Sequence, residues 1–388
     1  MSVVHVPLWL LAMFVISGTL AMHVFVPALP YAAIDLQAST GAMQLTVSLY
    51  ILGLALGQLF YGPLSDRFGR RPVLMAGLVL YIAAGLAAAL APSAPALIAA
   101  RLFQALGGCA GLVLGRAIVR DLAAPSEAAR RLALMNLLVT AGPSVAPLVG
   151  SLVASALGWR SIFYALCILG LVNFLLALRL LPETNRTAQA IDVRTMMRHY
   201  RQLALSPIFL GFAIGGGCAT TSMYAFVASA PFIFTGELNR PPHEAGLYLA
   251  LLVSGVWLGS GLASRLVARV PLSRLLIGAN LLSVASAFVF LAAVLASQLS
   301  VPLLVCSMFV LTLGTGIAAP AALTQSISVN PQVIGSAAGL YGFIQMSVGA
   351  ICTALAGIGS DPALSAAIVL SVAGIVSQAG FWLATRRR

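Results

Sequence analysis

Apolar runs of about twenty residues recur along the whole chain, and lipid admits few structures that answer to that pattern. Twelve runs can be marked, over 6–28, 42–61, 73–91, 96–118, 132–156, 161–181, 207–230, 245–263, 273–296, 302–323, 336–358 and 364–384. Each can cross a hydrocarbon core of about 30 Å at about 1.5 Å per helical residue. A bilayer offers no hydrogen-bond partner to open backbone, so runs this long must be helices. The expected fold class is an all-α integral membrane protein with twelve transmembrane helices. With 61% hydrophobic and 8% charged residues, the 388-residue chain has no stretch left over for a sizeable soluble domain.

Charge then orients the bundle. The formal net charge is +12, and every cation is arginine, because the chain has no lysine. Arg67, Arg70, Arg71, Arg120, Arg130, Arg131, Arg186, Arg194, Arg198, Arg201, Arg265, Arg269, Arg274 and Arg386–Arg388 fall on one side of the predicted bundle. Arg160 and Arg240 fall on the other, with Asp35, Glu237, Glu244 and Asp361. The positive-inside rule places both termini in the cytoplasm of an inner (plasma) membrane protein. Arginines confined to short loops between spans read as topology, and nucleic acid is not an expected partner. The first run lacks a basic leader and a small-residue cleavage pattern, so it reads as a membrane helix and not as a signal peptide. The five cysteines lie inside apolar runs without paired spacing and read as small core residues, with no disulfide or metal site expected.

The longest polar stretch, 183–206, divides the chain into 1–182 and 207–388, six spans each. It reads as a cytoplasmic linker with a short surface helix around Arg194–Gln202. Leu49–Pro72 aligns without gaps on Tyr248–Pro271: Gly62 matches Gly261, Ser65 matches Ser264, Arg70 matches Arg269 and Pro72 matches Pro271. Asp66 is replaced by Arg265, and Gly69 by Ala268. Two related six-helix halves point to a transporter in which one half rocks on the other.

The densest charge cluster is Gly62-Pro63-Leu64-Ser65-Asp66-Arg67-Phe68-Gly69-Arg70-Arg71-Pro72-Val73-Leu74, between the second and third runs. It resembles the loop 2–3 signature of the major facilitator superfamily. Arg101-Leu-Phe-Gln104-Ala-Leu-Gly107-Gly108 resembles that superfamily's fourth-helix motif of drug:proton antiporters. Ala146-Pro147-Leu-Val-Gly150-Ser151 resembles its fifth-helix antiporter motif, with Ala and Ser where glycines are usual. Val26-Pro27-Ala28-Leu29-Pro30, Leu49-Tyr50-Ile51-Leu52-Gly53 and Leu181-Pro182-Glu183-Thr184 resemble the bicyclomycin/chloramphenicol-resistance (Bcr/CflA) branch. The resemblance covers the chain. It implies two pseudo-symmetric six-helix bundles, no cofactor, and proton-coupled export of small drug-like molecules by a monomer. It also implies an aspartate in the first helix where this chain has His23.

From these motifs come the expected site residues. Gly62, Asp66, Arg67, Gly69, Arg70, Arg71 and Asp121 should form a gating latch. Arg70 is expected to pair with Asp121, while Asp66 faces the positive N-terminus of the eleventh span, near Asn330-Pro331 and Gly335–Gly339. Arg101 should face a cavity or a partner, because a cation inside a span is costly without one. His23 lies at similar depth by residue counting. His23, Arg101 and Gln104 are therefore expected to form the proton-coupling or substrate site, with repulsion between the two cations depressing the histidine's pKa. Pro143 and Pro147 should bend the fifth span, and Gly150 belongs to the same motif. Polar or aromatic groups within spans (Tyr50, Asn136, Tyr224, Trp257, Tyr341 and Gln345) are pocket candidates.

Other classes fare worse. No GxxxxGK[ST] phosphate loop exists in a chain without lysine, which excludes a coupled ATPase. Nine scattered acids and four isolated histidines supply no catalytic or metal cluster, so no enzyme activity is expected. A proton-coupled importer of a small metabolite, and a transport-dead membrane sensor, stay open as alternatives.

Overall fold

A computed structural model describes residues 6–123, 125–185, 193–267, 269–330 and 333–386. Arg186, Ala268, Pro331, Arg387 and Arg388, named above, lie outside them, as does the side chain of Asn136. The described residues are nearly all helical.

The first span is α1 (Leu8–Phe25), a 3-10 turn at Val26–Ala28, and α2 (Leu29–Asp35). The turn falls at Pro27, which cannot donate to a continuing helix. Then come α3 (Thr40–Phe68), α4 (Arg70–Ala89), α5 (Ala94–Leu122), α6 (Pro125–Leu157) and α7 (Trp159–Leu180). The surface helix α8 (Val193–Ala204) precedes the second half. There α9 (Pro207–Thr221) and α10 (Met223–Phe232) form one broken span that ends in a π turn at Ile233–Glu237. The last five are α11 (Pro242–Leu266), α12 (Leu272–Leu295), α13 (Val301–Ile327), α14 (Ile334–Ala356) and α15 (Pro362–Arg386). Eleven segments are long and apolar enough to cross a membrane. The twelfth is α6, 33 residues long and one continuous helix through Pro143 and Pro147.

Because the spans alternate in direction, the start of α1 and the end of α15 share one face, here the terminal face; Asp35 and Asp361 mark the far face. Within the first bundle, glycines let backbones touch. A Cβ on Gly18 would lie 2.7 Å from the Gly108 carbonyl oxygen, and one on Gly107 would meet the backbone of Tyr81. Such close approach is how membrane helices gain packing energy when lipid supplies no hydrophobic drive.

The two bundles meet along α3 with α14 and α6 with α11. Their polar contacts gather toward the far face. Gln44 Nε2 donates to Ser229 Oγ (3.0 Å), Ser48 Oγ to the Ala350 carbonyl (2.7 Å) and Ser151 Oγ to the His243 carbonyl (2.9 Å). Gly62 and Gly335, at the terminal face, have open space where a Cβ would stand.

Candidate functional site

Arg101 sits on α5, about two turns from the far face, and is fully buried. Its guanidinium is boxed by rings: 3.9 Å from the Tyr50 centroid, 5.2 Å from Phe25 and 5.7 Å from Phe163. Nη1 donates to Gln104 Oε1 (2.7 Å) and to the Ala21 carbonyl (3.2 Å). Nε and Nη2 have no partner, nor does Gln104 Nε2. Tyr50 is fixed in turn by its hydroxyl, which donates to the Gly18 carbonyl (2.6 Å). Arg101, Gln104 and Tyr50 therefore form one enclosed cluster. The cation thus meets partners, one of the two outcomes expected for it: three aromatic faces take the place of water around it.

His23 belongs elsewhere. Its Nδ1 lies 2.9 Å from the Thr19 carbonyl, Nε2 has no partner, and the ring meets Tyr224 edge-on at 6.0 Å across the junction of the bundles. Arg101 reaches Ala21, two residues earlier and about 200° round α1 at 3.6 residues per turn. The expected His23–Arg101 pair is thus corrected. The two lie on opposite sides of one helix, and residue counting gave their depth but not their direction.

In the second bundle Gln345 Nε2 donates to Thr220 Oγ1 (2.8 Å), and Thr221 Oγ1 donates to the Gln345 carbonyl (2.6 Å). Tyr341 is buried with its hydroxyl unpartnered, packed where α9 is thin at Gly216. Gln345 and Tyr341 therefore line the break between α9 and α10. Trp257 is 41% exposed and lies on the side of α11 that Gly246 turns toward α6 of the first bundle.

The charged cluster at the α3–α4 turn is built on Gly69, whose φ of +96° reverses the chain where a side chain would be strained. Arg70 is the hub. Its Nε donates to Asp121 Oδ2 (2.9 Å), and its Nη1 to Ser65 Oγ (2.6 Å) and to the Asp66 carboxylate. Glu183, just past α7, takes the Arg70 and Arg71 backbone amides (2.9 and 3.1 Å), filling the open N-terminus of α4. Arg71 Nη2 donates to the Leu178 carbonyl (2.7 Å), and Arg67 stacks on its neighbour Phe68 at 5.1 Å. All these partners lie in the first bundle. Among the described residues the Asp66 carboxylate pairs with Arg70 and makes no bond to the α14 N-terminus, and it is 45% exposed. Sequence reading missed Glu183 as the cap, because its partners are more than a hundred positions away. Pairing glutamate with a helix start across that distance has no sequence signal.

Gly150 of α6 lies against the Val24 carbonyl of α1, and Ser151, the next residue, holds α11 through His243. Pro147 contributes its carbonyl to the same contact beside Gly246. Pro143, one turn earlier, is half-buried. The motif thus sits where α1, α6 and α11 cross.

Comparisons with known proteins agree with this architecture. The family model described as Major Facilitator Superfamily matches residues 9–353. The chain is 30% identical over 387 residues to an "Uncharacterized MFS-type transporter YdgK" of Bacillus subtilis, covering 98% of this chain and 95% of that one. It is 25% identical to a "Bicyclomycin resistance protein homolog" of Haemophilus influenzae, covering 94% and 92%. It is 31% identical to "Multidrug resistance protein D" of Escherichia coli over 66% and 65%. Among solved structures, a D-xylose-proton symporter superposes with a TM-score of 0.82 at 16% identity, covering 97% and 96%. A bacterial homologue of the lysosomal transporter Spinster superposes with a TM-score of 0.74, also at 16% identity, covering 98% and 96%. With its helix order, its α3–α4 turn and these relatives, the chain belongs to the major facilitator superfamily of membrane transporters, in the bicyclomycin/chloramphenicol-resistance drug-antiporter group.

Proposed function

We propose that the protein exports small drug-like molecules from the cytoplasm across the inner membrane, by alternating access and in exchange for protons. The observation that carries this reading is the uneven junction of the bundles. Their polar contacts cluster toward the far face. Two bundles joined more firmly at one end can rock to open the other. The arginines gathered on the terminal face support a cytoplasmic location for both termini. Relatives named for bicyclomycin, chloramphenicol and multidrug resistance support export of such compounds.

The coupling group in this reading is His23. Among the described residues every carboxylate lies near a helix end or in a loop, so no acid stands in the middle of a span. Histidine exchanges a proton near neutral pH without one.

The test uses deletion and overexpression strains screened for susceptibility, followed by uptake of each hit into inverted vesicles. Export in exchange for protons predicts resistance on overexpression and vesicle uptake that alkalises the lumen in step with substrate. Uptake into intact cells would identify an importer. Absence of flux for every hit would identify a sensor.

A further inference from the structure

The surface helix α8 is amphipathic, and nothing in the transport reading uses it. At 3.6 residues per turn, Arg194, Arg198 and Arg201 fall within about 60° of one another, and all three are exposed. Tyr200 and Leu203 lie on the side away from them, packed into the cluster that holds Phe209 of α9 and Ala337 of α14. A Cβ on Gly339 of α14 would lie 3.6 Å from both the Tyr200 hydroxyl and the Gln58 carbonyl of α3. The helix is therefore seated at the terminal end of the seam between α3 and α14.

Between α8 and α14 runs a groove of about 540 Å³, walled by Arg194, Arg198 and Arg201 together with Met197, Tyr200 and Leu340. Its depth follows from the spans. α9 begins at Pro207, three residues past the end of α8, and Leu340 lies about 9 Å inside the terminal-face start of α14. The groove thus stands level with the lipid headgroups and the first methylenes beneath them. Its opening follows from the helix count. Leu340 belongs to the sector of α14 that exposes Ile351 (58%) and Leu355 (50%) farther along, about 20° and 60° from it. Gly339 and Gly342, which meet Gln58, lie about 100° and 160° away in the other direction. The groove therefore opens to lipid and not between the bundles. Among the described residues the side chains of Arg198 and Arg201 make no hydrogen bond or ion pair. The described acids of the terminal face are committed elsewhere: Asp66 and Asp121 to Arg70, Glu127 to Arg130 and Arg131, and Glu183 to the amides of α4. A free phosphate would need the guanidiniums alone. Here they stand over an apolar wall, with Met197 56% exposed beside them, and that pairing suits an amphiphile.

We propose that the groove between α8 and α14 binds an anionic phospholipid of the terminal-face leaflet. Arg198 and Arg201, with Arg194 beside them, take the headgroup phosphate, and the glycerol and first methylenes lie on Met197, Tyr200 and Leu340. A zwitterionic headgroup brings its own cation to the guanidiniums and is held less well. The lipid ties the linker between the bundles to the membrane surface, whatever molecule is transported.

The experiment is native mass spectrometry of the purified, delipidated full-length protein in detergent, titrated with dioctanoyl phosphatidylglycerol and, in parallel, with dioctanoyl phosphatidylcholine. The wild type should hold one phosphatidylglycerol about tenfold more tightly than phosphatidylcholine. Arg198→Gln and Arg201→Gln should each weaken phosphatidylglycerol binding about fivefold, and the double variant should abolish the preference. Phosphatidylcholine binding should stay unchanged in all of them, which shows that they are folded. Arg274→Gln, which removes an exposed terminal-face arginine outside the groove, should change neither lipid. Equal affinity of the wild type for the two lipids overturns the proposal, as does a double variant that keeps the preference. A loss as large in Arg274→Gln also overturns it, because general surface charge would then be the cause. Equilibrium dialysis of labelled inorganic phosphate separates the two sources of the anion. Phosphate bound as tightly as the lipid, and lost in the same variants, would make this a free-phosphate site and overturn the lipid assignment.

Discussion

The Arg101 guanidinium carbon lies 3.9 Å from the centre of the Tyr50 ring, and the Tyr50 hydroxyl is tied to the Gly18 carbonyl. One aromatic residue thus holds a buried cation of α5 against the backbone of α1. Tyr50→Phe keeps the ring and drops the hydrogen bond, which should cost about 1 kcal/mol. Tyr50→Leu removes the ring face as well and should cost about 2 kcal/mol more, the value of a desolvated cation–π contact. Thermal unfolding of the detergent-purified protein should rank wild type, Phe and Leu in that order. Equal melting of the Phe and Leu variants would show that the ring face contributes nothing.

Glu183 caps α4 with both carboxylate oxygens. Glu183→Ala leaves the Arg70 and Arg71 amides without this acceptor and should cost about 1 kcal/mol, the usual worth of a helix cap. Loosened, the α3–α4 turn should become open to trypsin after Arg67 and Arg70, the bond after Arg71 being protected by Pro72. Digestion of inverted vesicles, followed by peptide mapping, should show faster cleavage there in the variant. Unchanged cleavage would mean that Asp121 and Asp66 suffice to hold the turn.

Protonation separates two candidate sensors. Glu127, at the start of α6, accepts hydrogen bonds from Arg130 and then Arg131, which hold its carboxyl down at about 2 from the ordinary 4.5. With the folded value depressed, its contribution is complete above pH 4.5 and is lost as pH falls toward 2. Glu127→Gln should therefore leave the shape of a transport profile between pH 5.5 and 8 unchanged. His23 stands at the junction of the bundles against Tyr224, with Nε2 unpartnered, where a proton gained or lost can bear on their contact. His23→Gln should flatten the profile and abolish substrate-driven proton movement in inverted vesicles. A flat profile with Glu127→Gln and an intact one with His23→Gln would reverse the assignment.

What could be read from residues alone followed from charge in an apolar chain. The Gly62–Leu74 cluster is visible because lipid-spanning sequence has almost no other charge, and it located both the turn and the pairing of Arg70 with Asp121. The partner of Asp66 was misplaced because the reversal at Gly69 brings Arg70 back onto the carboxylate four residues earlier, a local solution that competes with any distant one. Arg101 and His23 share a depth, and sequence counting yields depth readily. Their opposite directions about α1 depend on which helix lies beside each, and that is set by packing.

Gly150 offers the sharpest test of the helix crossing at the antiporter motif. A Cβ there would strike the Val24 carbonyl, carbon and Cα of α1, all backbone atoms that cannot rotate away. Gly150→Ala should therefore part α1 from α6 and cost about 1–3 kcal/mol, the usual penalty of overpacking. Gly158, at the end of the same span, has open space instead but a φ of +82°, so Gly158→Ala should cost only about 1 kcal/mol of backbone strain. Parting α1 from α6 also moves His23 against Tyr224 and Ser151 against His243, so transport should fall further than stability alone requires. Melting temperature and vesicle uptake, measured on both variants at matched protein amounts, should show Gly150→Ala low in both. Gly158→Ala should be slightly low in the first only. A Gly150→Ala protein with wild-type melting and uptake would mean that α1 and α6 can separate there at no cost, and the crossing would have no part in the transport cycle.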